Sequence, residues 1–578
     1  MRRRRRRKRA IGILGVLAFV VVIAGIFLAV MLHRYYAEGT DRANLTDWFG
    51  LTDSSQTAVV IDGTVIDGTA LIEDGVVYLP YTIVQGYIND RFYFDQNDSV
   101  LLYCMPNELI RTDTSSTDPA VSGNGGLVML ARNDTIYLAL PFIQEYTGLT
   151  ATLYEDPGRV VITKTFGTEK VCSVKKDTVV REKGGIKSPI LTDVESGTEV
   201  TVVDVEESVE DWTKVRTEDG FTGYIRNRYL SDVTEKTTES GFVEPEYTSI
   251  QKDYQICMGW LQVTSDYANT ILGDSFTSNS TLTTIAPTWL YAMDTSGNIV
   301  SIVSDSVVQT AHSVGKEVWV TVNDFDAASL FGGIGTAEET LALLSNTQSR
   351  QNLVSQIVGA VLSCGADGIN VDFEKVSEDC GEHYIEFIRE LSIECRNNGL
   401  VLSVDSYVPS SWTQQYHREE QAVFADYVVI MAYDENGSWS TEKGPNSSMS
   451  YVSDAISDTL QSVPANKMIL ALPLYDKLWE EDPVAGTNTV TASCTTQTME
   501  DINTLLAAHG VTPALDSDSG QNFACYEENG SYFSVWLDDA YSIDQKLALM
   551  QENNLAGVSF WKLGQETSDI WDVVVKYF

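Results

Sequence analysis

The acid chemistry of this chain is concentrated in one octapeptide, Asp367-Gly-Ile-Asn370-Val-Asp372-Phe-Glu374. On an extended strand alternate side chains share a face, so Asn370, Asp372 and Glu374 point one way and Ile369, Val371 and Phe373 the other. Two carboxyls two residues apart repel as anions, and one of them is driven to hold a proton. A proton held near neutral pH is what a general acid needs. Glu374, at the tip, is expected to be the donor, and Asp372, one step deeper, its partner.

Those side chains need a scaffold. From residue 251 to 578 the sequence alternates strand-like and helix-like segments. Strands are expected at 256–263, 284–292, 317–322, 368–374, 400–407, 427–433, 468–475 and 556–563. Between them, Leu353, Ile357 and Val361 share one helical face that ends at Gly365. Tyr384, Ile388 and Leu391 share another that ends at Asn398-Gly399. Eight strands with helical crossovers over about 330 residues predict an α/β fold, a (β/α)8 TIM barrel. A doubly wound sheet is the alternative, but no glycine-rich phosphate loop follows the first strand. In a parallel barrel both strand faces should be apolar. Three polar groups in line, ending at a strand's C-terminal tip, break that rule where barrel enzymes keep their active sites.

The segment DGINVDFE resembles the DxxDxDxE signature of glycoside hydrolase family 18, the chitinase-like barrels. Asp367, Asp372 and Glu374 match, and Asn370 replaces the second Asp, as in the spore-cortex and cell-wall branch of the family. MAYDENG resembles the family's MxYD motif, with Met431, Tyr433 and Asp434 at the end of the sixth strand. GVSFWKLGQE puts Trp561 at the end of the eighth, where the family has a Trp under the bound sugar. The usual SxGG of strand three is absent, and VTVNDFD (320–326) stands there instead. A two-carboxylate retaining glycosidase needs a nucleophile on the far side of the bond, about 5–5.5 Å from the acid, and the sequence offers no obvious one. The resemblance implies that the substrate's own acetamide oxygen attacks. It also implies that Tyr433 bonds the acetamide, Asp372 orients it and Asp434 contacts sugar hydroxyls. Asp367, Asn370, Met431 and Trp561 complete the expected substrate-binding set. If the acetamide is not the nucleophile, Asp405 is the first other acid to test. Trp412, Trp439 and Trp479, in loops after strands five to seven, could stack on sugars. No cofactor or metal is called for. The implied activity is hydrolysis of β-1,4 bonds next to N-acetylglucosamine, with peptidoglycan or a chitin-like glycan as substrate. A non-catalytic carbohydrate-binding wall protein is the competing reading.

The remaining sequence is expected to deliver this barrel to its substrate. Residues 1–9 form a basic tail, and Ala10 to Leu32 is a 23-residue apolar run. At about 1.5 Å per residue it is long enough for a ~30 Å hydrocarbon core. The positive block before it predicts a single-pass anchor with a cytoplasmic N-terminus and an extracytoplasmic remainder. Residues 33–55 read as a polar spacer. An internal repeat follows: DGVVYLPYTIVQGY (74–87) aligns with NDTIYLALPFIQEY (133–146), each copy reading strand, short helix, hairpin. This α+β segment, 56–165, resembles the copper amine oxidase N-terminal-like domain, a name that implies no copper. Short β runs in 169–232 resemble a small all-β bacterial SH3-type barrel, a family whose members often bind cell wall. Residues 233–250 read as a linker. The whole chain has 578 residues, with 39 Lys+Arg against 81 Asp+Glu and a net charge of −42. Without the eight basic residues at 2–9 the remainder stands at −50. That excludes nucleic acid as a partner, because phosphate binding needs clustered cations. The 5 His residues have no zinc-hydrolase spacing. The 8 Cys residues are too sparse for a disulfide scaffold, although a Cys494–Cys525 bridge is conceivable.

Overall fold

The computed structural model describes residues 2–123, 125–204, 209–483 and 490–578. The chain divides into two compact units, one of residues 1–92 with 112–244 and one of residues 93–111 with 245–578.

In the second unit eight parallel strands close into a barrel: β1 (Ile256–Leu261), β2 (Thr284–Ala292), β3 (Glu317–Asn323), β4 (Gly368–Asp372), β5 (Val401–Tyr407), β6 (Tyr427–Met431), β7 (Met468–Pro473) and β8 (Gly557–Trp561). Each pairs with its sequence neighbour, and β8 pairs back onto β1. The expected TIM barrel is therefore present, strand for strand. β4 stops two residues short of its expected end, which leaves Glu374 just beyond the tip. The helices Thr347–Cys364 and Gly381–Asn398 cover β3–β5. They end at Gly365 and Gly399, both left-handed with φ near +70°, a conformation in which a Cβ would be strained. Outward residues such as Ile369, Val371, Phe373, Leu402 and Val404 join the large core beneath these helices. The inward residues Met258, Trp260, Trp319, Tyr427, Val429 and Met431 fill the barrel interior.

Two additions to the barrel escape the sequence reading. Between β7 and β8 the chain builds a five-stranded antiparallel sheet, including Tyr475–Pro483, Gln521–Glu528 and Ser531–Leu537, with the helix Met499–His509 packed on it. Here Cys494 lies opposite Trp479, Trp479 opposite Ser534, and Ser534 opposite Cys525. The two cysteines are thus three strand spacings apart, about 14 Å, beyond the reach of a disulfide. The second addition comes from the repeat. The hairpin of its first copy, Tyr93–Asp95 with Val100–Cys104, belongs to the barrel unit. Asp95 accepts from the backbone N and hydroxyl of Thr347, both at 2.6 Å. The Tyr93 hydroxyl bonds His383 Nδ1 at 2.7 Å and accepts from Arg350 at 3.0 Å. Arg350, fully buried, also pairs with Glu390 at 2.9 Å.

In the first unit, the second repeat copy keeps its hairpin (Thr150–Tyr154 with Arg159–Thr163) in a seven-stranded sheet beside Thr57–Ile61. A second seven-stranded sheet runs through the SH3-type region. Residues 33–55, expected as a loose spacer, instead insert Phe49 and Leu51 into a core shared with Val180, Phe221 and Ile225. Part of the expected linker is also structured: Thr234–Thr238 pairs with Gly167–Val171. The helix Arg2–Tyr36 holds an exposed window, Gly15–Leu32, of mean hydropathy 3.0, long and apolar enough to cross a membrane.

Candidate active site

The strand register explains why the polar line on β4 does not disrupt the barrel. Asn370 lies between Thr321 of β3 and Ser403 of β5. Its carbonyl oxygen accepts from Trp260 Nε1 at 2.9 Å and from the Thr321 hydroxyl at 3.0 Å. Its amide donates to Ser403 Oγ at 3.0 Å and to Asp405 Oδ1 at 2.7 Å. All four bonding positions of the side chain are used, which is what a buried amide requires. One layer nearer the C-terminal end Asp372 pairs with Asn323 of β3. The same register carries it alongside Asp405 of β5.

Beyond that layer the backbone is clamped. Asp324 accepts from the backbone N of Glu374 at 2.8 Å, from the N of Lys375 at 3.0 Å and from the Thr340 hydroxyl at 2.9 Å. The Tyr416 hydroxyl donates to the carbonyl of Phe373, and Arg418 holds the carbonyl of Tyr407. Tyr407, the last residue of β5, donates its hydroxyl to Glu374 Oε2 at 2.5 Å. Glu374 is thereby fixed at the mouth of the barrel from both neighbouring strands.

Electrostatics favour protons here. Burial, with Glu374 and Asp405 as the nearest like charges, pushes Asp372 well above the usual carboxylate range. Burial also raises Glu374, although the Tyr407 hydrogen bond works against it. Burial raises Asp324 to about 6 and raises Asp405 strongly. Carboxyls that share a dry site cannot all ionise.

The other expected residues divide. Tyr433 follows β6, is half-buried, and makes no hydrogen bond among the described residues; its ring meets Tyr475 edge-on at 6.4 Å. Asp434 accepts from the Tyr475 hydroxyl at 2.6 Å and pairs with Lys477 at 3.0 Å. Trp561 ends β8 and packs edge-on against Trp260 at 5.9 Å. These three and Glu374 occupy the same end of the barrel. Met431 is buried in the interior cluster, where it supports this set from below. Asp367 is placed elsewhere. It precedes β4 at the N-terminal end, where it accepts from the backbone N of Val318 and bonds the His312 ring, both at 2.8 Å. It lies five residue steps before Asp372, about 16 Å. It ties strand to helix and cannot reach the mouth. Trp479, expected in a sugar-stacking loop, is fully buried with its Nε1 on the Gly444 carbonyl. Trp412 and Trp439 are exposed. Asp324 and Tyr407 were not foreseen. Their only sequence signal is a polar residue at or just past a strand's C-terminal end.

Comparison with known proteins fits this geometry. Residues 326–566 match the family described as glycosyl hydrolases family 18, and residues 176–231 match the bacterial SH3 domain. A glycosylase of Bacillus subtilis, YvbX, is 23% identical over 52% of this chain and 87% of its own length. The cortical fragment-lytic enzyme of the same organism is 28% identical over 40% of this chain and 54% of its own length. The chain thus spans only about half of that second relative. The crystal structure of the Bacillus cereus spore cortex-lytic enzyme SleL superimposes with a TM-score of 0.49 at 22% identity, over 56% of this chain and 74% of that one. The C-terminal unit is a family 18 glycoside hydrolase domain, and it is preceded by a bacterial SH3 domain.

Proposed function

We propose that this family 18 hydrolase domain cuts β-1,4 bonds next to N-acetylglucosamine, in peptidoglycan, by a substrate-assisted retaining mechanism. The observation that carries the reading is the pair Asp372 and Glu374 on one inward face, with the Tyr433 hydroxyl, unpartnered among the described residues, at the same end of the barrel. Glu374, kept protonated by burial, gives its proton to the leaving glycosidic oxygen. The acetamide oxygen of the adjacent sugar attacks the anomeric carbon and the glycosidic bond breaks. Asp372 accepts from the acetamide N–H, and Tyr433 donates to its oxygen. Asp434 contacts ring hydroxyls, and the Trp561 face lies beneath the sugar. Water then opens the cyclic intermediate with Glu374, now a carboxylate, as base, so configuration is retained. Three other carboxyls near the mouth are engaged: Asp405 is bonded to Asn370, Asp324 to backbone amides, and Asp434 to Tyr475 and Lys477.

Peptidoglycan is favoured over chitin by the SH3 domain, the apolar N-terminal helix and the cortical fragment-lytic relatives. The helix anchors the chain in the cell membrane with the basic tail inside. The repeat segment 56–165 and the SH3 domain hold the barrel against the wall. Mass spectrometry of products from purified peptidoglycan and from chitin oligomers tests the substrate. A thiazoline analogue of N-acetylglucosamine should inhibit, because it mimics the intermediate and such mimics bind far more tightly than substrate. Efficient cleavage of a glycan lacking the acetamide would overturn the mechanism.

A further inference from the structure

The expected acid pair lies on β4 alone, yet the barrel interior holds another carboxyl at the same height. Asp405 is fully buried. Register fixes its position: Asn370 faces Ser403 and Val371 faces Val404, so Asp372 and Asp405 are lateral neighbours on strands about 4.8 Å apart. Asn370 donates to Asp405 Oδ1. The other oxygen, Asp405 Oδ2, and Asp372 Oδ1 are both buried without a hydrogen-bond partner among the described residues. Two unsatisfied carboxyl oxygens in adjacent inward positions are costly unless a proton bridges the two groups. Asn370, whose amide protons do not titrate near neutral pH, cannot supply that proton.

Resting on the above reading of Asp372 and Glu374, we propose that Asp405 is the positioning partner of Asp372, a role that Asn370 cannot fill from β4. The two carboxyls share one proton and carry one negative charge. In the resting pair the proton lies on either group. When substrate binds, the O–H bond on Asp372 breaks and one forms on Asp405, so the negative charge sits on Asp372 and accepts from the acetamide N–H. After release the proton returns. Nothing is oxidised and no proton leaves the pair, so Glu374 keeps its own for the leaving oxygen. The groups facing Asp405 support this. Asp372 lies on β4, Glu374 just beyond it and Tyr433 after β6, while Tyr384 of the covering helix, with Arg418 beyond it, acts electrostatically. Among the described residues no lysine or arginine bonds Asp405, so it has no cation to hold it ionised.

The test is a charge relocation in the full chain, with Asp405→Asn, Asn370→Asp and the double variant. In the double variant every hydrogen bond around position 370 can be remade, since the carboxylate placed there accepts from Trp260, Thr321, Ser403 and the amide introduced on β5. We expect Asp405→Asn to lower kcat about tenfold or more with KM within about twofold. Its alkaline limb should move to higher pH, because the pair's one negative charge is then confined to Asp372, next to Glu374. The double variant should recover most of kcat and the original limb. Stability provides an arm that does not depend on turnover. A buried acid that favours its proton loses stability as pH rises, so the fall in Tm between pH 4 and pH 8 should be shallower in Asp405→Asn. Activity within twofold of wild type at every pH would overturn the proposal. So would a double variant as inactive as the single, or an unchanged Tm slope. If Glu374→Gln hydrolyses as well as wild type, the underlying reading fails instead, and the Tm slope alone then decides whether the pair shares a proton.

Discussion

Glu374→Gln keeps the shape and the backbone clamp of Asp324 while removing the transferable proton. Turnover should fall about 10²–10⁴-fold, the usual worth of a general acid, with an unchanged circular dichroism spectrum. Wild-type turnover in that variant would refute the assignment. Tyr407→Phe addresses the hydrogen bond that stabilises the Glu374 carboxylate. Without it Glu374 holds its proton to higher pH, so the alkaline limb of the pH–rate profile should move upward; a downward move would contradict this geometry. Asp324 adds a stability signature. Its folded-state value near 6 lies above the ordinary carboxylate value. The folded state therefore binds the extra proton, and stability from this group is lost as pH rises from about 4 to about 6. Asp324→Asn should flatten that part of a Tm-against-pH curve. Residues such as Asp372 and Glu374 were legible because a polar line inside an apolar strand is conspicuous. Tyr407 was not, and Asp405 stood out only as a fallback nucleophile, since VLSVDSY reads as an alternating strand, and only the register shows what its polar side meets.

The strands of the barrel were readable because each is a short apolar run bounded by a helix. The sheet inserted between β7 and β8 was not, because its strands are half-exposed and lack such runs. The first repeat hairpin shows a different failure. Its form was evident from the second copy, but its destination was set by Thr347, Arg350 and His383, more than two hundred residues away. Burial would raise the Asp95 carboxyl, yet the two bonds from Thr347 and two local amides hold it below its usual value. Asp95→Ala removes the acceptor from a buried helix start, at a cost of about 1–3 kcal/mol. The Tm of the catalytic unit should fall, and the deficit should shrink as pH drops below about 4, where the wild-type carboxylate is itself protonated. A Tm unaffected by the substitution would show that the hairpin is not part of this unit's stability.

For the molecule as a whole the prediction concerns location. With its 23-residue apolar run the full chain should sediment with membranes, and a form starting at residue 37 should be soluble. External protease should digest everything beyond about residue 35 and spare the basic tail. Recovery of a soluble natural form beginning near residue 35 would mean that the segment is removed as a signal rather than kept as an anchor. Residues 56–235 alone should be retained by purified wall if the SH3 domain serves as its tether.

The Asp95–Thr347 bond spans 252 positions of sequence. A chain that leaves the ribosome N-terminus first presents the hairpin long before the helices that receive it. At about 5–20 residues per second the wait is tens of seconds. During that interval Tyr93, Leu102 and Cys104, all buried in the finished fold, face solvent or a chaperone. Completion of the hydrolase is thus tied to delivery of nearly the whole polypeptide to one compartment, and a chain stalled halfway through export would carry an exposed hairpin and no assembled active site.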